Sequence, residues 1–332
     1  MRQDADGAPL PLRGGEAGRT RGAAAYGSVT AASFHFGVTA LQSVLFLQHV
    51  LNGLLAGTYY LLIALGLSLI FSLGGIVNLA HGAFYAIGAY LTVVLSPTIG
   101  FGGSIVASPI LVGILGVIIE RTLFRRFYKA DPSLSLILTF GLAMVAEQAL
   151  RMIFGAPPLS YSIPQELRGQ LFIGSFIYPY YRVLLLAVAA TCIAGLWFLL
   201  QRTAFGRVVR AGVQSPDMVG ALGISLEPYM AAVALLGVGL AGLAGVMLAP
   251  IFSIHPAMGS EIITAAFVVV VIGGLGSFWG VVVAAMIVGL VKGLVVALGY
   301  PQFSEAAMYV LMLFVLLVRP RGLFGERIQR FE

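Results

Sequence analysis

The chain alternates between long apolar stretches and short polar or basic segments. Between Phe36 and Ile119 there is no Asp, Glu, Lys or Arg, whereas one bilayer-crossing helix needs only about 20 apolar residues. This stretch therefore contains several spans. The hydrophobic pattern predicts spans near residues 52–72, 76–96, 102–120, 134–154, 183–201, 229–250, 262–276, 279–298 and 303–318. With residues 36–51 as a further membrane-associated helix, the expected fold is all-α: a polytopic membrane helix bundle of roughly eight to ten spans, some of them broken or short.

Two glycine-rich segments interrupt this pattern, at residues 74–82 and 272–280. Lipid offers no partner to freed backbone groups or to an imidazole, so such segments must be buried in the bundle or line a watery path. Both contain a Gly-Gly pair at a similar place in their half of the chain, as interruptions beside a translocation path do. Chance similarity is the alternative. We expect separate membrane segments on the two sides of the second break.

The charged residues are few, and their positions indicate how the spans are oriented. Of the 332 residues, 59% are hydrophobic and 10% are charged, against about 25% charged in soluble domains, and the mean hydropathy is +0.99. Loops rich in Lys and Arg stay on the cytoplasmic side. The basic loops therefore predict a cytoplasmic C-terminus, and residues 155–182 are expected to face outside. The net charge of +6 does not indicate binding to nucleic acid. The clusters are Arg121, Arg125, Arg126 and Lys129; Arg202, Arg207 and Arg210; and Arg319, Arg321, Arg327 and Arg330.

This pattern divides the chain into three parts. Residues 1–35 are rich in Gly, Ala and Arg without apolar periodicity, and we expect a disordered N-terminal tail rather than a cleaved signal peptide. Residues 36–320 form the transmembrane domain, and residues 321–332 form a cytoplasmic C-terminal tail.

Polar side chains inside the spans are the candidates for a substrate pathway. Asn78 and His81 are three residues apart, and we expect them to share a helical face, where they either cap a broken helix or meet a substrate. Glu147 and Gln148 lie inside the fourth span. A carboxylate there faces the bundle or water, as a pathway or proton-relay group, or it is structural, with Arg151 one turn away.

Other signals are absent or weaker. Lys292 lies in a late span, and we expect its long side chain to reach an interface rather than to act in transport. There is no Gly-x-x-x-x-Gly-Lys-Ser/Thr, His-Glu-x-x-His or Gly-x-Ser-x-Gly motif. The four histidines are scattered, and Cys192 is the single cysteine. We therefore expect no catalytic site, no metal and no cofactor.

The loop after the fifth span predicts a short cytoplasmic helix. Ser215 suits an N-cap, Pro216 the first helical position and Asp217 the positive helix end, while Gly223 is a natural stop after Leu222. Such a helix is either a solvated connector or a docking element for a cytoplasmic partner. The docking candidates are Arg207, Arg210, Pro216, Asp217, Met218, Leu222 and Gly223.

Several ordered motifs between Leu47 and Gly325 resemble the branched-chain amino acid ABC transporter permeases of the LivH type. In this chain they read Asn52-Gly53, Gly57-Thr-Tyr-Tyr60, Ala64-Leu-Gly66, Asn78-Leu-Ala-His-Gly82, Gly88-Ala-Tyr90, the loop from Gly206-Arg207 to Leu222-Gly-Ile224, Val271-Ile-Gly-Gly-Leu-Gly-Ser277 and Arg319-Pro-Arg-Gly-Leu-Phe-Gly325. The chain departs from many members at Ala265 and Ala266, where a basic residue precedes the aromatic corresponding to Phe267.

The resemblance implies an integral permease subunit of an ATP-driven importer in the bacterial inner membrane. It implies a second homologous permease subunit, two cytoplasmic ATPase subunits that hydrolyse ATP, and an extracytoplasmic substrate-binding protein. The implied substrates are branched-chain amino acids. Urea, short amides or aromatic acids are alternatives, because relatives carry them. A stand-alone proton-coupled transporter, with Glu147 as the coupled carboxylate, is the alternative from another class.

Overall fold

The structure is a computed structural model that describes residues 19–127, 131–173 and 176–325, without the side chains of residues 19–44, 132, 173 and 176. The chain divides into two units, Met1–Gln48 and His49–Glu332. In the first unit, residues 19–48 are helical. The predicted tail overlaps this helix from Arg19 onward, and residues 1–18 lie outside the described part. The rest of the description concerns the second unit.

Helices dominate the described part of the chain, which contains ten of them beside one small hairpin. The helices are α1 (Arg19–Gly74), α2 (His81–Thr122), α3 (Pro132–Phe154), α4 (Tyr180–Arg202), α5 (Ala204–Gln214), α6 (Pro216–Ala221), α7 (Glu227–Leu248), α8 (Met258–Gly273), α9 (Phe278–Ala297) and α10 (Ser304–Val318). The strands are β1 (Gln170–Ile173) and β2 (Phe176–Pro179), which pair antiparallel.

Seven segments of the described chain are long and apolar enough to cross a membrane, and α8 is a shorter apolar helix. The predicted all-α polytopic bundle is thereby confirmed. Separate helices on the two sides of the second glycine-rich break, α8 and α9, are also confirmed.

Helix α2 folds back on itself at Gly100, whose φ of 70° lies in the left-handed region that favours glycine. Gly88 and Val112 both pack against Gly242 of α7. Along a straight helix these two residues would lie about 36 Å apart. The chain must therefore reverse, so residues 81–99 and 101–122 form two arms that correspond to the predicted second and third spans.

Glycines let the central helices approach at backbone distance. Gly53 and Gly57 of α1 face Gly289 and Gly293 of α9, and a Cβ built on Gly53 would lie 2.5 Å from the Gly289 carbonyl oxygen. On α7, Gly237 packs on Gly66 of α1 in the same way. In membranes, where lipid is as apolar as the helices, this close packing is a main source of helix association.

One end of the bundle, which we call the basic end, is where α1 stops and α9 starts. A Cβ on Gly276, in the second break, would lie 3.4 Å from Ser72 Oγ near the end of α1. An ion pair between Arg125 and Glu227 joins the loop after α2 to the start of α7 there. The interhelical loops that carry the arginines thus gather on one side, as the charge pattern predicts.

The chain beyond α10 returns to the same place. The backbone N–H groups of Leu323 and Phe324 donate to the carbonyl oxygens of Ile272 and Gly273, at 2.8 and 3.1 Å. Residues 321–325, which the sequence assigned to a cytoplasmic tail, are therefore held against the end of α8. Residues 326–332 lie outside the described part of the chain.

The opposite end, which we call the far end, carries the polar connection between α3 and α4. It includes the β-hairpin, a feature that the sequence did not predict. Tyr161 stacks on Phe101 beside the bend of α2, with ring centroids 6.0 Å apart. The Tyr181 hydroxyl donates to the Met247 carbonyl oxygen at 2.7 Å. These contacts close the bundle at this end.

Candidate functional site

The first glycine-rich break reaches back into the bundle. Gly75, with a φ of 65°, ends α1, residues 75–80 are non-helical, and α2 begins at His81. Asn78 and His81 therefore do not share a helical face, because only His81 is helical. That expectation was wrong, since the sequence gave no sign of where the helix restarts. Both side chains are 0% exposed, which confirms that the break is buried rather than facing lipid.

His81 connects the first glycine-rich break with α1 through a hydrogen bond. Its Nε2 atom lies 3.1 Å from the Ile63 carbonyl oxygen, to which it donates in the tautomer that carries the proton on Nε2. A Cβ on Gly66 would lie 2.9 Å from the same nitrogen, so only glycine leaves room for the ring. This geometry fits a structural clamp. Contact between His81 and a substrate stays a prediction.

Asn78 borders a small cavity near the basic end. Its side-chain nitrogen and oxygen are buried without a partner in the described residues. The cavity has a volume of about 10 Å³, close to the minimum for one water molecule, and Glu120 and Phe124 also line it. A water there would satisfy the amide, so the simplest use of this cavity is structural.

A much larger cavity lies at the far end, and we call it the far-end cavity. Its volume is about 400 Å³, within the range of small-molecule sites. It is bounded by α1, the start of α2, the connection between α7 and α8, α8 itself, α9 and α10. Its lining residues are Tyr59, Tyr60, Tyr85, Phe252, Ser253, His255, Met258, Glu261, Ile262, Ala265, Lys292, Glu305, Met308 and Tyr309.

Lys292 is the central charge of this cavity. Its Nζ donates to the Tyr60 hydroxyl at 2.8 Å and lies 5.2 Å from the centroid of the same ring. Glu305 Oε1, at the start of α10, is 3.8 Å away. The side chain of Lys292 is 15% exposed, and it lines the cavity. Tyr60 and Glu305, from two other helices, lie beside the ammonium, and the interfacial placement expected from the sequence stays a prediction.

A second pair and an aromatic cluster complete the wall. His255 Nε2 lies 3.6 Å from Glu261 Oε2, an ion pair when the imidazole is protonated. Tyr59 packs edge-on against Tyr60 and Phe252, with centroids 5.7 and 6.0 Å apart. The cavity thus combines charges of both signs with a broad apolar surface, which is the composition of a site for a small amphipathic molecule.

The other predicted pathway residues lie elsewhere. Glu147 Oε1 accepts from Arg151 at 3.2 Å, and Ser260 Oγ lies 3.5 Å from the other oxygen. Gln148 is exposed on α3. Neither is among the residues that line the far-end cavity. The pairing of Glu147 with Arg151 is the structural alternative that the sequence left open.

The predicted short helix is present at the basic end. Helix α6 runs Pro216–Ala221, and Gly223, with a φ of 77°, follows its last turn. Ser215 occupies the N-cap position but its side chain makes no capping hydrogen bond there. Asp217 lies in the first turn, as expected.

Two large apolar side chains on and just after this helix are uncovered. Met218 is 65% exposed and Leu222 is 75% exposed. On α5, Arg207 is exposed, whereas Arg210 is partly buried with one guanidinium nitrogen unpaired within the described residues. Exposed apolar side chains near cations are typical of an interaction surface.

The comparison with known proteins covers most of the chain. Residues 49–316 match the family described as "Branched-chain amino acid transport system / permease component". No match was found among solved structures.

The similar proteins carry related names. The high-affinity branched-chain amino acid transport system permease protein BraD of Pseudomonas aeruginosa is 27% identical over 85% of this chain and 96% of its own. The LivH permease protein of the Escherichia coli K12 system is 26% identical over 86% and 97%, and its LivM permease protein is 25% identical over 80% and 67%. The family match spans well over half of the sequence, so the chain belongs to the permease component family of branched-chain amino acid transport systems.

Proposed function

We propose that this chain is the integral membrane permease subunit of an ATP-driven importer for branched-chain amino acids. The observation that carries the proposal is the family match over residues 49–316, which coincides with the helix bundle. The relatives that match this chain over nearly their whole length are named as permease proteins of such transport systems.

The importer is expected to contain a second, related permease. Two proteins of Escherichia coli K12, LivH and LivM, both resemble this chain and both are named as permeases of a high-affinity branched-chain amino acid system. A pair of related chains is therefore the expected membrane unit. Two ATPase subunits supply the hydrolysis, and a soluble binding protein delivers the substrate from outside.

The basic end is assigned to the cytoplasm, and with it the C-terminus. The assignment rests on the arginine-bearing loops. In this orientation α5 and α6 project toward the ATPases, and the far-end cavity opens toward the delivery side. The uncovered Met218 and Leu222 would insert into an apolar groove of an ATPase, as amphipathic helices do in helix-in-groove complexes.

Reconstitution tests the whole proposal. The chain, co-expressed with its partner subunits, is placed in liposomes and supplied with binding protein, ATP and radiolabelled leucine, isoleucine or valine. Accumulation of these three amino acids that stops without ATP is the expected result. Uptake of urea, short amides or aromatic acids in their place would assign a different substrate class, and uptake without ATPases would contradict the importer.

A single substitution tests the docking surface. Leu222→Glu places a charge in the proposed contact and should lower substrate-stimulated ATP hydrolysis about tenfold or more, as expected for loss of a central interface residue. Met218→Glu is the second variant. The matched control is Gln201→Glu, which adds the same charge at an exposed polar position at the end of α4. Normal hydrolysis in a membrane-inserted Leu222→Glu complex would remove α6 from the interface.

A further inference from the structure

We propose that the far-end cavity binds the free amino acid itself, with Lys292 holding its carboxylate and the carboxylates of Glu261 and Glu305 holding its ammonium. This inference rests on the proposed function and adds the residues and the chemistry of the binding step. It assigns a site inside the permease, separate from the one in the soluble binding protein.

Lys292 has more N–H donors than hydrogen-bond partners among the described residues. An ammonium group has three N–H donors. Within the described residues, one donor goes to the Tyr60 hydroxyl at 2.8 Å, and Glu305 is 3.8 Å away, too far for a good hydrogen bond. A partly buried cation with incomplete pairing is unfavourable, and a ligand carboxylate would pair with it through a charge-assisted hydrogen bond.

The charge balance of the wall selects a zwitterion. Lys292 faces the exposed carboxylate of Glu305, and His255 faces that of Glu261. A ligand carrying only a negative charge would be repelled by the two carboxylates, and one carrying only a positive charge would meet the ammonium. A ligand with zero net charge and its two charges close together can satisfy both signs, which is how charged sites reject wrong partners.

The remaining wall suits an aliphatic side chain. Phe252, Ile262, Met258 and Met308 present apolar atoms, and Met258 and Met308 are almost fully buried. Methionine adapts its shape to ligands of different branching. A site of this kind accepts leucine, isoleucine and valine together, since one methylene more or less changes binding in an apolar pocket only modestly.

Cysteine protection measures this binding without transport. Ser253 lines the cavity and is exposed, so Ser253→Cys in a Cys192→Ser background gives one reactive probe. The assembled complex, without ATP or binding protein, is treated with a water-soluble thiol reagent. Millimolar L-leucine should slow labelling. Isoamylamine, which lacks the carboxylate, and 4-methylpentanoate, which lacks the ammonium, should not.

Substitutions then assign the roles. In the probe background, Lys292→Gln should raise the leucine concentration for half protection by about tenfold or more, which corresponds to about 1.4 kcal/mol. Lys292→Arg should retain most of the protection, because it keeps the cation. Glu305→Gln should weaken protection, whereas Glu166→Gln, an exposed carboxylate in the connection between α3 and α4, serves as the control and should not.

Three results would overturn the proposal: no protection by leucine at Ser253→Cys or at a second probe, Tyr309→Cys; equal protection by all three compounds; or full protection in an assembled Lys292→Gln complex. Leucine uptake by the wild-type complex is measured in parallel. Normal uptake without protection would reject this site and leave the importer standing, whereas absence of uptake would reject the proposed function.

Discussion

Gly289→Ala is expected to destabilise the bundle by forcing α1 and α9 apart. Gly289 lies in the closest contact between these helices, which is formed by backbone atoms on both sides. A Cβ at this position would lie 2.3 Å from the Gly53 carbonyl oxygen and 2.5 Å from the Gly57 nitrogen. Neither atom is the end of a flexible side chain, so neither can rotate away.

The size of the effect follows from these distances. Ordinary van der Waals contact begins near 3.4 Å, so the added methyl group is about 1.1 Å too close to the oxygen. Relief requires one helix to move by a similar amount, along a contact that also includes Gly293. Overpacking of this kind costs about 1–3 kcal/mol. Alanine favours the helix over glycine by at most about 1 kcal/mol, so the net change is a loss.

The measurement is the thermal stability of the detergent-solubilised complex, followed by loss of monodisperse protein on heating. Gly289→Ala should melt at a lower temperature than the wild type. The matched control is Gly141→Ala on α3, where a Cβ would meet nothing within 4 Å. This variant should be as stable as the wild type or slightly more stable, because it gains helix propensity without a clash.

The same substitution should also weaken leucine binding at the far-end cavity. Lys292 follows Gly289 by one turn on α9, so a shifted helix changes the distance from Nζ to the Tyr60 hydroxyl, now 2.8 Å. If Gly289→Ala melts like Gly141→Ala and keeps full leucine protection of the cavity cysteine, the close approach of α1 and α9 does not exist as described.

Three further outcomes are expected. Deleting residues 1–35 should leave uptake close to that of the wild type, because the family match begins only at residue 49; a large loss at normal expression would contradict this. Asp131 accepts the Ser133 N–H at 2.8 Å, which holds the pKa of its carboxyl below the usual value. Its contribution to stability is therefore present above the unfolded-state pKa and is lost as the pH falls through the lower folded-state pKa, so Asp131→Asn should make acid melting curves less pH-dependent. If the break lines the path, Asn78→Cys without Cys192 should react with a water-soluble thiol reagent in an ATP-dependent way; no labelling in any state would indicate a sealed structural site.

The spans could be predicted from sequence because each carries its own signal. The nine predicted ranges overlap the helices found, since about 20 apolar residues identify a span without knowledge of its neighbours. The fold at Gly100 inside α2 was also implicit in the gap between the second and third predicted spans. The restart at His81 was not, because the capping residue Ala80 carries no side-chain cap.

The far-end cavity could not be predicted in this way. Lys292 and its partner Tyr60 are 232 positions apart, and Glu305 belongs to a third helix. No local pattern connects them. Considered alone, a lysine five residues before the end of an apolar helix predicts an interfacial side chain. The sequence does place two adjacent tyrosines, Tyr59 and Tyr60, in a span without charges. Nothing connects this pair with Lys292 until the helices are packed.

The two proposed contact regions are joined by the helices that pack most closely. Helix α1 ends at the first glycine-rich break, and α9 begins at the second, both at the basic end, where α6 also lies. The same two helices contribute Tyr60 and Lys292 to the far-end cavity. Because backbone contact through four glycines resists sliding, α1 and α9 are expected to move as one body. A displacement imposed by the ATPases at the basic end would then reach the cavity as a rigid rotation, which changes the separation of Lys292 from Glu305 on α10. The distance between Lys292 and Glu305 would then determine whether the carboxylate of the amino acid is bound or released.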